Sequence, residues 1–89
     1  MKTFWQDIKA KIDENCGGEA VEICWISSGG DRVGEYKTTT PWEVLNYEYD
    51  SSYGGQDCHN FILWTKSYIV TLHEYDGATW PISFPRNWS

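Results

Sequence analysis

The sequence predicts an α+β fold in which one N-terminal helix packs on a twisted antiparallel sheet of about five strands. Three observations support this fold. Apolar side chains recur at helical spacing near the N-terminus, residues 19–27 alternate in the manner of a strand, and residues 60–84 form a β-meander punctuated by turn residues. The 89 residues make a single domain, 1–89, with a small core to which each large side chain contributes.

The helix is predicted to begin after Thr3. Thr3 and Gln6 have the spacing of a capping box, in which each side chain bonds the backbone N–H of the other residue. Phe4, Ile8 and Ile12 then place an apolar stripe on one face, and a later Gly-Gly pair favours the left-handed backbone that ends many helices. A helix of about three turns needs a packing surface to persist.

Two strands are predicted next. In residues 19–27, Val21, Ile23 and Trp25 alternate with the residues that point to the opposite side. A Ser-Gly-Gly-Asp turn leads to a weaker strand at residues 32–37, which we place at a sheet edge because a glycine interrupts it.

The middle of the chain combines two signals. Thr40 and Glu43 form a second capping-box pattern with Pro41 at the first helical position, which predicts a short helical turn through Asn46. Tyrosines that alternate with acidic residues then predict a strand at residues 45–50, followed by a loop.

The meander has a predicted register. Asp-Gly between two β-prone runs is typical of a two-residue hairpin turn. Counting outward from it pairs Tyr75 with Ala78, His73 with Trp80, Thr71 with Ile82 and Ile69 with Phe84. A turn at Lys66-Ser67 pairs Trp64 with Ile69, Ile62 with Thr71, Asn60 with His73 and His59 with Glu74.

This register gives the sheet two apolar faces. One carries Ile62, Trp64, Ile69, Trp80, Ile82 and Phe84. The other carries an apolar group that we call the second-face patch: Phe61, Leu63, Val70 and Leu72. One helix covers one face of a small sheet, so the second-face patch is either buried by curling of the sheet or by residues 38–57, or it meets another chain. A homodimer is one candidate for that partner.

Charge and composition narrow the class of function. The net charge of −6 is spread along the chain, which favours a cationic partner and disfavours direct binding to nucleic acid. No apolar run approaches the length of about 20 residues that a membrane helix needs. The three cysteines have the spacing of neither a zinc site nor a closed disulfide set, so we predict a reduced, cytoplasmic protein without a metal or cofactor.

One cluster of residues has the chemistry for catalysis: Asp57, Cys58, His59, His73 and Glu74. The predicted register sets His59 opposite Glu74, where a carboxylate could orient the imidazole. However, consecutive strand residues point to opposite faces, so Cys58 and His59 cannot form a nucleophile and base pair. We therefore interpret these residues as structural and predict that the protein is not an enzyme.

A recognition surface is predicted where the loop before the meander meets the Asp-Gly turn. There, tyrosines, carboxylates and an amide form an acidic, aromatic edge composed of Asp50, Tyr53, Gln56, Asp57, Tyr75 and Asp76. Such an edge suits contact with a protein or, alternatively, with a small molecule or nucleotide.

The C-terminal half also resembles a group of phage proteins. The segment Tyr-Glu-Tyr-Asp-Ser-Ser-Tyr-Gly-Gly-Gln from Tyr47 and the segment Glu-Tyr-Asp-Gly-Ala-Thr-Trp from Glu74 are similar to motifs in small uncharacterised bacteriophage and prophage proteins. The resemblance implies an anti-defence or anti-CRISPR-like inhibitor that binds a host protein. We therefore expect an acidic inhibitor or modulator of a host defence protein in the infected cell. One candidate contact for it is a basic nucleic-acid-binding surface of that protein, and the alternative function is a small-molecule or nucleotide-binding module.

Overall fold

The computed structural model describes residues 3–49 and 55–86. They contain helix α1 (Phe4–Asn15), a 3-10 turn (Pro41–Glu43) and five strands, β1 (Val21–Ser27), β2 (Tyr36–Thr38), β3 (Asn60–Thr65), β4 (Tyr68–Tyr75) and β5 (Ala78–Pro85). All strand pairs are antiparallel, and the order across the sheet is β2-β1-β3-β4-β5. The predicted α+β fold, with its N-terminal helix and C-terminal meander, is confirmed.

The start of α1 is closed by the predicted capping box. Thr3 Oγ1 accepts a hydrogen bond from the Gln6 backbone N–H at 3.2 Å, and Gln6 Oε1 accepts one from the Thr3 N–H at 2.8 Å. The backbone N–H groups of Phe4 and Trp5 donate to carbonyls of the segment that contains residues 45–47. Backbone and side-chain acceptors thus satisfy donors that a helix leaves open at its first turn.

The predicted strand at residues 45–50 does not form over residues 45–49. The carbonyl oxygens of Leu45 and Tyr47 accept hydrogen bonds from α1 at 3.0 and 2.8 Å, so they are not free to continue a ladder. A single isolated bridge joins this segment to Thr3. The predicted helical turn before it is present but shorter, because it ends at Glu43 instead of Asn46.

The register of the meander is as predicted. Asp76 and Gly77 have φ angles of 53° and 84°, the left-handed backbone of the two-residue turn that suits twisted hairpins. All four predicted pairs between β4 and β5 are present, and the predicted pairs of Trp64 with Ile69 and Ile62 with Thr71 join β3 to β4. The ladder between β3 and β4 extends no further toward His59, so the predicted pair of Asn60 with His73 does not form.

Strand β1 is irregular at its start. Val21 pairs with Thr65, whereas Ile23 pairs with Trp64, so Glu22 is an extra residue in a β-bulge. Because of the extra residue, the side chain of Val21 lies on the opposite face of the sheet from Ile23 and Trp25. Val21 packs against the core. The prediction that these three side chains lie together is wrong for Val21.

One face of the sheet is covered by α1 and by the segment 41–49. Helix α1 contacts β4 and β5, and the segment adds Leu45 and Tyr49 to the same core. Phe4 packs edge-on against Phe61 with 5.5 Å between the ring centroids. Burial by residues 38–57, one of the two alternatives left open by the sequence, is therefore present in the described part of that segment.

The second-face patch is part of this core. Phe61 is 2% exposed, Leu63 and Val70 are fully buried, and Leu72 packs against them. The hypothesis that this patch forms a partner surface is wrong, because one helix and one irregular segment together supply enough apolar side chains to cover it. No helix or loop among residues 3–49 and 55–86 packs over the other face of the sheet, which is the uncovered one.

Candidate functional site

The uncovered side of the sheet is the candidate functional site. It carries large apolar residues from four strands, which we call the open face: Ile23, Trp25, Ile62, Trp64, Ile69, Trp80, Ile82 and Phe84. Trp25, Trp80 and Phe84 are 39%, 40% and 43% exposed, and the rest are half-buried by one another. Six of these eight residues follow from the predicted register, but the sequence did not indicate that this face stays open.

The open face carries little negative charge although the chain as a whole is acidic. Among its described strand residues, Glu22 in the bulge is the carboxylate, and Arg86 Nη1 donates to Glu22 Oε1 at 2.7 Å. The same nitrogen donates to the carbonyl of Thr65 at 2.7 Å, which fixes the guanidinium at the end of β3. Lys37 from β2 lies on the same side, opposite Trp25. Sequence reasoning missed these charged residues because the bulge and the position of Arg86 depend on tertiary structure.

The hairpin end of the acidic edge is exposed as predicted. Tyr75 is 68% exposed, and Asp76 lies in the turn itself. Cys58 Sγ lies 4.0 Å from Thr79 Oγ1, so the chain that precedes β3 contacts the start of β5. The backbone nitrogen of Asp57 lies close to Gly30, in the turn before β2. Asp50 and Tyr53, the other predicted members of the edge, lie outside the described residues.

Gln56 has a structural role in addition to its predicted place in the edge. Its Nε2 donates to the Cys58 carbonyl at 2.7 Å and to Asn60 Oδ1 at 3.1 Å. A side chain at Gly30, which has a φ angle of 56°, would lie 2.1 Å from the Gln56 carbonyl oxygen. The close approach of this turn to Gln56 therefore requires glycine.

The predicted pairing of His59 with Glu74 is wrong. His59 is 6% exposed, its Nδ1 lies 2.8 Å from Tyr47 Oη, and its Nε2 lies 3.3 Å from the carbonyl oxygen of Val33. The guanidinium of Arg32 stacks on the ring of Tyr47, with Cζ 3.9 Å from the ring centroid. Both imidazole nitrogens are therefore engaged in a network that joins three loops, which is the structural role that the sequence favoured for this residue.

The thiols are in environments that suppress their reactivity. Burial raises the pKa of Cys24 to about 12 and that of Cys58 to about 11, and it also raises the pKa of Cys16. Nucleophilic cysteines need a lowered pKa, so these thiols are protonated and inert at neutral pH. The described part of the chain holds no group of three or more His, Cys, Asp or Glu side chains placed to bind a metal.

Comparisons of the chain with models of protein families, with curated proteins and with solved structures found no match. Within residues 3–49 and 55–86, no helix has the length and apolar character needed to cross a membrane. Function therefore has to be inferred from the surfaces of the fold, of which the open face is the most distinctive.

Proposed function

We propose that the chain is a protein-binding module and that the open face is its contact surface. The observation that carries this proposal is the uncovered side of the sheet, where Trp25, Trp80 and Phe84 expose their rings around a half-buried apolar centre. Contiguous apolar patches on small proteins are typical of interaction sites, and tryptophan is enriched among the residues that dominate binding energy.

The acidic edge supplies a polar rim to this surface. Asp76 and Tyr75 are exposed at the β4–β5 turn, beyond the apolar centre of the sheet. The net charge of −6 speeds association with a cationic surface, while the exposed rings supply the contact area. A host protein that binds nucleic acid through a basic surface fits this combination.

We infer that the protein inhibits or modulates such a host protein, as the resemblance to phage and prophage proteins implies. Its place of action would then be the cytoplasm of an infected bacterium. The resemblance supplies the biological setting, and the open face and acidic rim supply the binding surface.

The experiment is capture of a partner from a bacterial lysate by the immobilised protein at low salt. Trp25→Ser and Trp80→Ser each change an open-face ring, whereas Trp42→Ser changes a tryptophan of similar exposure, 42%, on the opposite side of the sheet. We expect the two open-face variants to lose the captured protein and the Trp42 variant to keep it.

Two results would overturn the proposal. Capture of nothing by the wild-type protein would remove its basis, and equal capture by all three variants would show that the open face is not the contact surface. Light scattering at high concentration tests a second copy as the competing occupant, since a dimer that Trp25→Ser dissociates would make the open face a self-association surface.

A further inference from the structure

A pocket opens at the corner of the open face where the β1 bulge and the end of β3 meet. Its volume is about 560 Å³, and it is lined by Glu22, Ile23, Trp25, Lys37, Trp64 and Arg86. Pockets that bind small molecules have volumes of about 300–1,000 Å³ and combine an apolar lining with a few polar groups. This pocket meets both criteria.

Two tryptophans form apolar walls of the pocket. Trp25 pairs across the sheet with Ile62 and Trp64 pairs with Ile23, so the two indoles are diagonal neighbours on one face. Within the described chain, neither indole is in ring contact with another aromatic side chain, whereas Trp5 contacts Trp42 and His73 contacts Trp80. Trp25 is 39% exposed and Trp64 is half-buried, so each indole presents part of its surface to a flat ligand.

The charges of the pocket are not balanced internally. Arg86 is held by Glu22 and by the Thr65 carbonyl, so one cation and the one carboxylate compensate each other. The Lys37 ammonium, by contrast, makes no hydrogen bond or ion pair with any side chain that the structure describes. The pocket therefore presents one uncompensated ammonium group beside two indoles, although the chain as a whole is strongly acidic.

We propose that this pocket binds a small, flat aromatic molecule that carries one carboxylate. The ring lies against the indoles of Trp25 and Trp64, and the carboxylate accepts hydrogen bonds from Lys37 Nζ. A single uncompensated ammonium matches a monoanion, and the carboxylate of Glu22 repels anions only weakly because Arg86 neutralises it. The pocket shares Trp25 and Trp64 with the open face, but binding of a small molecule needs no protein partner and can be tested on the isolated chain.

The probe is 2-naphthoate, which is compared with 2-naphthalenemethanol, a neutral molecule with the same ring system. Binding is followed by NMR through the backbone amides and the indole N–H signals. We expect 2-naphthoate to shift the indole signals of Trp25 and Trp64 and to bind about tenfold more tightly than the alcohol, the size of one partly solvated charge-assisted hydrogen bond.

Two variants that each lose one positive charge distinguish binding at the pocket from a general effect of the net charge of the protein. Lys37→Gln removes the ammonium of the pocket, and we expect it to make the two probes bind equally. Lys9→Gln removes an exposed ammonium from α1, where it pairs with Asp13 on the other side of the sheet, and we expect it to leave the tenfold preference unchanged. Trp25→Leu should weaken both probes to a similar extent.

The proposal is overturned if the two probes bind wild type equally, if Lys37→Gln and Lys9→Gln behave alike, or if the shifts lie away from the pocket. Each of these results leaves the proposed protein-binding role intact, since partner capture is measured without the probes. Conversely, tight binding of 2-naphthoate to a protein that captures no partner would make the pocket the primary site.

Discussion

The Tyr47 hydroxyl bridges the backbone and the ring of His59. Its oxygen accepts a hydrogen bond from the His59 backbone N–H at 2.9 Å and lies 2.8 Å from His59 Nδ1. Burial raises the pKa of Tyr47 to about 12, so the hydroxyl keeps its proton at neutral pH and can donate it to Nδ1. The other ring nitrogen, Nε2, lies 3.3 Å from the carbonyl oxygen of Val33.

Replacement of Tyr47 by phenylalanine should destabilise the fold. The change leaves a buried N–H and a ring nitrogen of His59 without their partner, at a cost of about 1–3 kcal/mol in the free energy of unfolding. Urea denaturation followed by circular dichroism measures this cost. The control is Tyr75→Phe, because Tyr75 is 68% exposed and its loss of a hydroxyl should change stability by less than about 0.5 kcal/mol. Equal effects of the two changes would contradict the bridging role.

Two adjacent residues of β3 test which face of the sheet is covered. Leu63 is fully buried in the core, and Leu63→Ala should lower the free energy of unfolding by about 2–5 kcal/mol because it leaves a cavity. Ile62, the preceding residue, lies on the open face, and Ile62→Ala should lower the free energy of unfolding by about 1 kcal/mol. Thermal and urea unfolding of both variants measure the difference, and a larger loss for Ile62→Ala would mean that the covered and open faces are exchanged.

The two capping-box patterns of the sequence should differ in energy. Both hydrogen bonds of the capping box are present at Thr3, so Thr3→Ala should lower the free energy of unfolding by about 1 kcal/mol. Thr40 has the same spacing to an acidic residue, yet its side chain bonds the Glu43 carboxylate at 2.9 Å and no backbone N–H of the 3-10 turn. Thr40→Ala should therefore cost less than about 0.5 kcal/mol. The denaturant midpoints of the two variants measure the two losses of stability. A larger loss for Thr40→Ala than for Thr3→Ala would contradict this prediction.

Glu19 should give the protein part of its acid sensitivity. Its carboxylate accepts hydrogen bonds from Thr65 Oγ1 at 2.7 Å and from the Ser67 backbone N–H at 2.9 Å, and these bonds lower its pKa. A carboxylate whose pKa is lower in the folded state stabilises the fold above its ordinary pKa of about 4.3, and that contribution is lost as the pH falls through the folded-state value.

The corresponding measurement is the free energy of unfolding between neutral pH and about pH 3, the region in which carboxylates titrate. In Glu19→Gln the decline below about pH 4.3 should be shallower than in wild type, because that titration is removed. Glu14→Gln, on an exposed position of α1, serves as the control. If both variants lose stability with the same slope as wild type, the bonds to Thr65 and Ser67 do not contribute to acid sensitivity.

Local signals predicted much of the fold. The capping box at Thr3 and the Asp76-Gly77 turn each specify a structure within a few residues, so the helix start and the register of the meander were accessible from the sequence. The strand predicted at residues 45–50 does not form over residues 45–49, because its alternation competes with a tertiary effect. The carbonyls of this segment are taken by the first turn of α1, which no local pattern reveals.

The site was harder to predict than the fold. Both faces of the meander are apolar, and the pattern that places Leu63 and Ile62 on opposite faces does not indicate which of them the helix covers. That choice depends on where residues 41–49 pass and on how much of the sheet they cover. The bulge at Glu22, which brings a carboxylate to the open face, has no marker such as a glycine in the sequence.

The edges of the sheet restrict how copies of the protein can associate. Strand β2 at one edge has only three residues, and strand β5 at the other contains Pro81 and Pro85, which lack a backbone N–H. Short edges and prolines oppose the addition of further strands, the step by which sheets grow into fibrils. An apolar surface on this fold therefore favours discrete complexes, closed by one partner, over open-ended aggregation.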